Sequence, residues 1–488
     1  MTMPIAATRI VAVALVLVLA LVLGGCGAFP KNPSLVKYDP ATGYRFDHLV
    51  QGDNSDELFV ILAFSGGGTR AAALSYGVLE ALRDTRIQRE QRSISLLDEV
   101  DVISSISGGS FPAAYYALYG ARIFDEFPGR FLYRPIQSEL IKLAFTPGGL
   151  MKLAGSTFGR SDLAAEFYDR EVFGGGTYAD VIARRTRPFV ILNATDMTTG
   201  GQFPFIQDQF DLLCSDLSGV SVGRAAAASS AFPGGLTPLT FQNYAGTCDY
   251  RQPRWVELAA NDRGLRVNAR RTARAERRLS YADTTSARRD YIHLIDGGVA
   301  DNLGLREPLT AIAGKDNSWS VLRLIDLGKV TKLVVIVVNA ATDPATHRDG
   351  TPAVPGIIDN VITAASVPLD NYSFDTIEIL RKTVNEFNEE MRMISGCKAL
   401  ATDKGAQCTI DIAAPPQIEF FPIEIAFEYI QSTTERTWFK RLPTSLELPR
   451  ESVDKLRAIG RELLRDDPAF KDLMKALSGC LAAAGQTC

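Results

Sequence analysis

Seven consecutive apolar residues, Leu58–Phe64, run straight into Ser65-Gly66-Gly67-Gly68, and the same order of apolar run and glycine turn recurs twice further on. An apolar run without polar alternation marks a strand buried on both faces. Ala71–Asp84 then reads as a helix, with Leu74, Val78, Leu79 and Leu82 near helical spacing. Val100-Asp101-Val102-Ile103 leads into Ser105-Ile106-Ser107-Gly108-Gly109. Phe111–Tyr119 follows as a helix, with Pro112 in its first turn, where a missing N–H costs little. Tyr291–Ile295 leads into Asp296-Gly297-Gly298. Further strands are expected at Phe189–Asn193, Leu333–Asn339 and Ile423–Ile430, and a late helix at Ser452–Leu464. Strands alternating with helices predict an α/β fold layered on a largely parallel sheet. Ligand chemistry in such sheets sits at the carboxyl ends of strands, where all three motifs lie.

Each motif supplies a different part of one reaction. Ser107 sits on a sharp strand-to-helix turn with small neighbours, which holds a nucleophile away from its own backbone. The usual Gly-x-Ser-x-Gly elbow has Ser105 in place of its first glycine, while Gly109 keeps the second. Ser105 and Ser110 compete for the role but lack the turn position. Gly66, Gly67 and Gly68 can point several backbone N–H groups into one cavity, as an oxyanion hole requires. Arg70 is placed to steady that loop or a phosphate. A nucleotide cradle is disfavoured, since no Gly-Lys-Ser/Thr follows and the Gly-x-Gly-x-x-Gly spacing is missing. Gly174-Gly175-Gly176 has no long apolar strand before it and reads as a plain turn.

The base is the remaining part. The chain has three histidines, His48, His293 and His347. His48 lies in the N-terminal segment and His347 in a Pro/Asp/Gly-rich loop. His293 lies three residues before Asp296 on one strand, so the two side chains are expected on opposite faces. Asp296 is the better base, in a dyad with Ser107. An aspartate with a pKa of about 3.9 is feeble at neutral pH, so the role requires burial to raise it.

The N-terminus differs from the rest. Ile10–Leu23 is an unbroken apolar run of 14 residues after the single basic Arg9. That length fits a signal-peptide core better than a membrane span. It ends in Leu23-Gly24-Gly25-Cys26, which looks like a bacterial lipobox and makes Cys26 the lipidated residue of the mature chain. Gly27 stands where an Asp often signals inner-membrane retention. The expected location is the bacterial envelope, lipid-anchored on the outer membrane and facing the periplasm.

Six cysteines remain, and the shortest loops pair Cys214 with Cys248, Cys397 with Cys408 and Cys480 with Cys488. An oxidising compartment permits such bonds. None has metal-ligand spacing, so no metal site is expected. The net charge of −4 offers no basic excess for nucleic acid. The stretch 259–289 carries nine arginines: Arg263, Arg266, Arg270, Arg271, Arg274, Arg277, Arg278, Arg288 and Arg289. It reads as a solvated insertion, with a lid or a surface for anionic lipid as the alternative.

Taken together, these residues resemble the patatin-like phospholipases, with the motif variant also seen in relatives of cytosolic phospholipase A2. Ser65–Arg70 matches the family's glycine loop, Ser105–Gly109 its elbow and Asp296-Gly297-Gly298 its dyad aspartate. Asn193-Ala194-Thr195-Asp196 with Gly200, and Ala226–Pro233, fit two further segments, and the likeness covers about residues 57–305. Ala71 departs from the glycine of many plant-type members.

The resemblance implies a three-layer α/β/α fold with a mostly parallel central sheet. It also implies hydrolysis of phospholipid or other lipid esters without metal or organic cofactor. The expected organisation is a signal peptide (1–25), a lipidated tether (26–56), a catalytic domain (57–445) and a C-terminal helical region (446–488). Three rival readings are weighed beside this one: a non-catalytic envelope lipoprotein binding lipid or protein, a Ser-His-Asp esterase using His293 or His347, and acyl transfer to an acceptor other than water.

Overall fold

The computed structural model describes residues 28–50, 54–89, 92–261, 269–282, 289–306, 329–343 and 418–482, with a few isolated positions besides. The signal peptide with Cys26, residues Cys397, Cys408, Cys488 and His347, and the side chain of Cys480 lie outside this description. So do 262–268 and 283–288 of the Arg-rich stretch.

The strands are β1 (Leu58–Phe64), β2 (Arg86–Arg89), β3 (Arg92–Ser95), β4 (Val100–Ile106), β5 (Phe189–Asp196), β6 (Gln202–Pro204), β7 (Leu239–Gln242), β8 (Tyr291–Asp296), β9 (Lys332–Asn339) and β10 (Glu419–Ala426). The helices used below are α1 (Gly68–Asp84), α2 (Ser110–Tyr119), α3 (Ile136–Ala144), α4 (Pro147–Leu153), α5 (Arg160–Glu171), α6 (Val222–Ser229), α7 (Ala269–Ala282), α8 (Arg450–Asp466) and α9 (Pro468–Ala482). Among the described residues one sheet runs β10-β9-β1-β4-β5-β8-β7, with β6 added to β5, and β2 and β3 form a separate hairpin.

The pairs from β10 to β5 are parallel. β8 joins β5 antiparallel, as does β7 to β8. The mostly parallel sheet lies between helices in the expected α/β/α layering. Every residue of β1, β4 and β5 is buried, and β1 reads as an unbroken apolar run for that reason. β10 begins at Glu419, earlier than the apolar run suggests, and stops before the turn Phe427–Tyr429. It is an edge strand, and there Pro422 costs no ladder bond.

α1 is buried from Gly68 to Leu82, so it has no solvent face. Its cover is α8. A Cβ on Gly77 would lie 2.3 Å from the Arg457 carbonyl oxygen, and one on Gly460 would lie 2.7 Å from that of Leu74. Glycines therefore let the two backbones touch. Buried Glu80 accepts from Arg457 at 2.7 Å and Arg461 at 2.6 Å across the same interface. The C-terminal helices are thus part of the domain's wall rather than a separate region.

The expected tether also proves to be built in over its described part. Tyr44 and Phe46 are core residues, and the Tyr44 hydroxyl accepts from Val190 N–H at 2.8 Å. Arg45 is buried against Asp208 at 2.7 Å and Asp211 at 2.8 Å. Leu35 and Tyr38 donate backbone bonds to the carbonyls of Cys214 and Cys248. Those two cysteines are joined, with S–S 2.10 Å and Cα atoms 5.5 Å apart.

The described part of the Arg-rich stretch is not simply solvated either. Arg278 is buried, donates to the Tyr250 hydroxyl at 2.9 Å and lies over Trp255. Arg289 grips Asp196 through one nitrogen, at 2.9 and 2.8 Å. Apolar rings and a buried carboxylate give these guanidinium groups interior partners.

Candidate active site

Strand register brings the three motifs together. Phe64 pairs with Ser105, Ile106 with Asn193, and Ala194 with Asp296. The end of β1, the end of β4 and the end of β8 therefore lie in one row across the sheet. β8 runs antiparallel to β5, so it reaches the row from the opposite direction and delivers Asp296 at its own carboxyl end.

Ser107 is the first residue past β4 and has φ 47°, a left-handed backbone that a side chain adopts only at a cost. The chain holds it there through its neighbours. Ser107 N–H donates to Ser229 Oγ at 2.9 Å, and Ser229 Oγ donates to the Asn193 carbonyl at 2.7 Å. Ser229 comes from the last turn of α6, and nothing local in the sequence marks its role. The Ala226–Pro233 stretch that holds it carries only the family resemblance. Ser110 and Ser105 are fully buried and bonded to each other at 3.2 Å, so neither reaches a substrate. Ser107 keeps partial exposure.

The Ser107 side chain is close enough to the Asp296 carboxylate to help hold its pKa down. That carboxylate accepts from Gly298 N–H at 2.8 Å. The Asp296 backbone is fixed on both sides: Ala231 accepts its N–H at 3.0 Å, and its carbonyl accepts from Thr195 Oγ1 at 2.8 Å. Burial pushes its pKa up to about 6, against the Ser107 side chain and the Gly298 N–H, which act to lower it. His293 is exposed on the other face of β8, with Nδ1 3.1 Å from Thr240 Oγ1. His48 lies beside Gly43, with Nδ1 3.1 Å from that carbonyl.

The glycine loop lies directly against the elbow. A Cβ on Gly108 would sit 2.1 Å from the Gly68 carbonyl oxygen, and one on Gly109 would sit 2.7 Å from Phe64 Cβ. Gly67 and Gly68 have φ 138° and 60°, conformations that favour glycine. Gly66 N–H donates to the Asn302 carbonyl at 3.2 Å, and Thr69 N–H to that of Ser445 at 2.8 Å. The N–H groups of Gly67 and Gly68 meet no acceptor among the described residues. Asn302 is a second residue that sequence reasoning missed, since nothing local marks a carbonyl that will reach Gly66.

Arg70 is a strut. It is buried, and it donates to the carbonyls of Ala340 at 2.9 Å and Leu442 at 2.6 Å, and to Thr444 Oγ1 at 3.2 Å. Its donors face protein oxygens, so of the two roles open to it the loop-steadying one fits. Among the described residues no group of His, Cys, Asp or Glu could hold a metal ion. The arrangement thus sets a hydroxyl against a carboxylate of raised pKa, beside two N–H groups at the start of a helix, where negative charge is favoured.

No curated protein matches the chain. Among solved structures, VipD from Legionella pneumophila aligns over 87% of this chain and 67% of its own, at 10% identity and a TM-score of 0.29. Residues 62–309 match the family model described as patatin-like phospholipase. That match spans half of the 488 residues and takes in the glycine loop, the elbow and the aspartate, so the chain belongs to the patatin-like phospholipase family, a family of lipid acyl hydrolases.

Proposed function

We propose that this protein hydrolyses the carboxylic esters of phospholipids or related lipids with Ser107 as nucleophile and Asp296 as its base. The observation that carries the proposal is the strand register, Ile106 with Asn193 and Ala194 with Asp296, which sets the Ser107 turn beside the buried Asp296 carboxylate. Asp296 takes the hydroxyl proton as Ser107 Oγ attacks the ester carbonyl carbon. The resulting oxyanion is held by the N–H groups of Gly67 and Gly68, since that of Gly66 is already engaged with Asn302. The ester C–O bond then breaks, and Asp296 returns the proton to the leaving alcohol. Water attacks the acyl-serine next. Asp296 takes the water's proton, the acyl–oxygen bond to Ser107 breaks, and Ser107 recovers its hydroxyl. A base with pKa near 6 is ionised at neutral pH yet strong enough for the transfer.

The lipobox-like ending at Cys26 and the Cys214–Cys248 bond support a lipid-anchored position in an oxidising envelope compartment, on the periplasmic side of the outer membrane. The anchor would hold the enzyme at its substrate surface.

The test is release of fatty acid from phospholipid vesicles, together with cleavage of a dissolved short-chain ester. His293→Ala is expected to keep both activities within about twofold, because the ring does not touch the dyad. Complete loss in a folded His293→Ala protein would replace the dyad with a histidine mechanism. Gly68→Ala should lower kcat about 100-fold or more, as loss of an oxyanion donor does. Its Cβ would lie 2.2 Å from the Ser445 carbonyl oxygen, so the loop must shift. An unchanged kcat would move the oxyanion site elsewhere.

A further inference from the structure

The helical hairpin α3–α4 carries an exposed apolar surface that no other described element covers. The inward side of α3 is accounted for by buried Ile136 and by Leu140 and Leu143, which pack on the core. A second apolar set faces out. Ile141, Phe145, Leu150 and Met151 are exposed by 52%, 72%, 52% and 44%, all within one 11-residue stretch. Exposed apolar patches of this kind mark interaction sites.

The stretch Leu143-Ala144-Phe145-Thr146-Pro147-Gly148-Gly149-Leu150-Met151 contains no charged residue, and a lysine stands at each end, Lys142 and Lys152. Lys142 is exposed, and Lys152 pairs with Glu166 at 2.6 Å. The exposed Lys142 bordering an apolar tip suits a surface whose interior is apolar and whose head groups are anionic.

The hairpin is already shaped for insertion. Phe145 N–H donates to Ile141, Thr146 N–H to Leu143 and Leu150 N–H to Thr146, while Thr146 Oγ1 accepts from Gly149 N–H. The tip therefore carries few backbone groups that would lose hydration unpaired. A Cβ on Gly149 would lie 2.1 Å from the Leu143 carbonyl oxygen, so α3 and α4 are locked together at their joint.

The same hairpin is joined to the glycine loop. Gln137 Oε1 accepts from Ser445 Oγ at 3.0 Å and Leu446 N–H at 3.2 Å. Ser138 donates to Glu447 through both its N–H and its hydroxyl, each at 2.9 Å. One residue of that strap, Ser445, accepts from Thr69 N–H and lies against Gly68. The apolar tip and the loop beside Ser107 are thus ends of one bonded path.

We infer that the α3–α4 hairpin is the element with which this protein enters a lipid surface, seating Phe145, Leu150, Met151 and Ile141 among acyl chains with Lys142 at the head groups. The inference rests on the lipid-ester reading of the site and names the partner that the site must meet: a bilayer containing anionic lipid.

The experiment uses the full chain carrying Phe145→Trp, compared with the unsubstituted chain to subtract the native tryptophans. The probe is vesicles of phosphatidylcholine and phosphatidylglycerol with brominated acyl chains. The added tryptophan is expected to shift to the blue and to be quenched roughly twofold or more, as a ring at acyl depth would be. Emission unaltered by vesicles overturns the inference. A blue shift already present without vesicles also overturns it: one that grows with protein concentration assigns the face to a second copy, and one that does not assigns it to another part of this chain.

A second arm pairs Phe145→Asp with Leu150→Asp. Hydrolysis of vesicle phospholipid should fall roughly tenfold while cleavage of a dissolved short-chain ester stays within about twofold. Any N-terminal lipid is common to both proteins. Equal vesicle hydrolysis by the two overturns the hairpin's role. If the unsubstituted chain cleaves neither substrate, the hydrolase reading fails instead, while the quenching result still decides where the surface binds.

Discussion

Replacing Ser107 with alanine is expected to remove ester hydrolysis, by about 10⁴-fold or more, with the fold intact. The size of the effect follows from the loss of the attacking atom itself. Neither Ser105 nor Ser110 can stand in, because both are fully buried and bonded to one another behind the elbow. Glycine at the same position makes a sharper comparison. Ser107 occupies φ 47°, which costs an L-residue about 1–2 kcal/mol. Glycine relieves that cost but loses about 0.5–1 kcal/mol through greater freedom in the unfolded chain. Ser107→Gly should therefore match or exceed the parent in thermal stability while being as inactive as Ser107→Ala. Residual hydrolysis of more than about one part in a hundred in either folded variant would show that the nucleophile lies elsewhere.

Asp296→Asn should lower kcat/KM about 1,000-fold, since the amide offers no base to Ser107. In the unsubstituted protein kcat/KM should fall as pH drops through about 6, the value to which burial raises this carboxyl. Stability should change in the opposite sense. Folding favours the protonated form, so the group costs nothing below the unfolded pKa of about 3.9. As pH rises from there through about 6 the folded protein loses stability, because the unfolded chain gives up its proton first. The full cost above that range is about 2–3 kcal/mol. Asparagine carries no such cost, and its side-chain oxygen can still accept from Gly298 N–H. At pH 8 the variant should unfold at or above the parent's temperature, and near pH 4 the gap should vanish. A pH–rate profile and thermal melts at both pH values check this. An acid limb that persists unchanged in residual Asp296→Asn activity would assign the titration to another group.

Ser107 and Asp296 can be singled out without coordinates because each stands at a break in local pattern. β1 matches the apolar run Leu58–Phe64 residue for residue, since a strand buried on both faces has no reason to alternate. The placement of His293 away from Asp296 also follows from local geometry, as strand alternation separates residues three apart. Other parts left no such trace. Ser229 lies 122 residues from Ser107, yet its hydroxyl sets the elbow. Asn302 removes Gly66 N–H from the set of available donors by a single backbone bond. Residues 28–50 read as a polar tether because Asn32, Arg45 and their neighbours are hydrophilic. They pack inward because their partners, among them Ser215, Asp208 and Asp211, await them more than 160 positions away.

By itself the sequence determined the alternation of buried strands with helices, the family and the pair of side chains set at the ends of β4 and β8. The strands and turns follow from periodicity and from glycine, which act between near neighbours in the chain, and the family from its likeness in the motifs those turns carry. Only the tertiary structure decided that α8 roofs α1, that Arg70 is a strut, and that among the described residues the Gly67 and Gly68 N–H groups meet no acceptor and the outer apolar side of the α3–α4 hairpin no cover. Those outcomes depend on which distant carbonyl or side chain fills a given position. Such pairings satisfy buried polar groups across the fold, and no spacing along the chain records them.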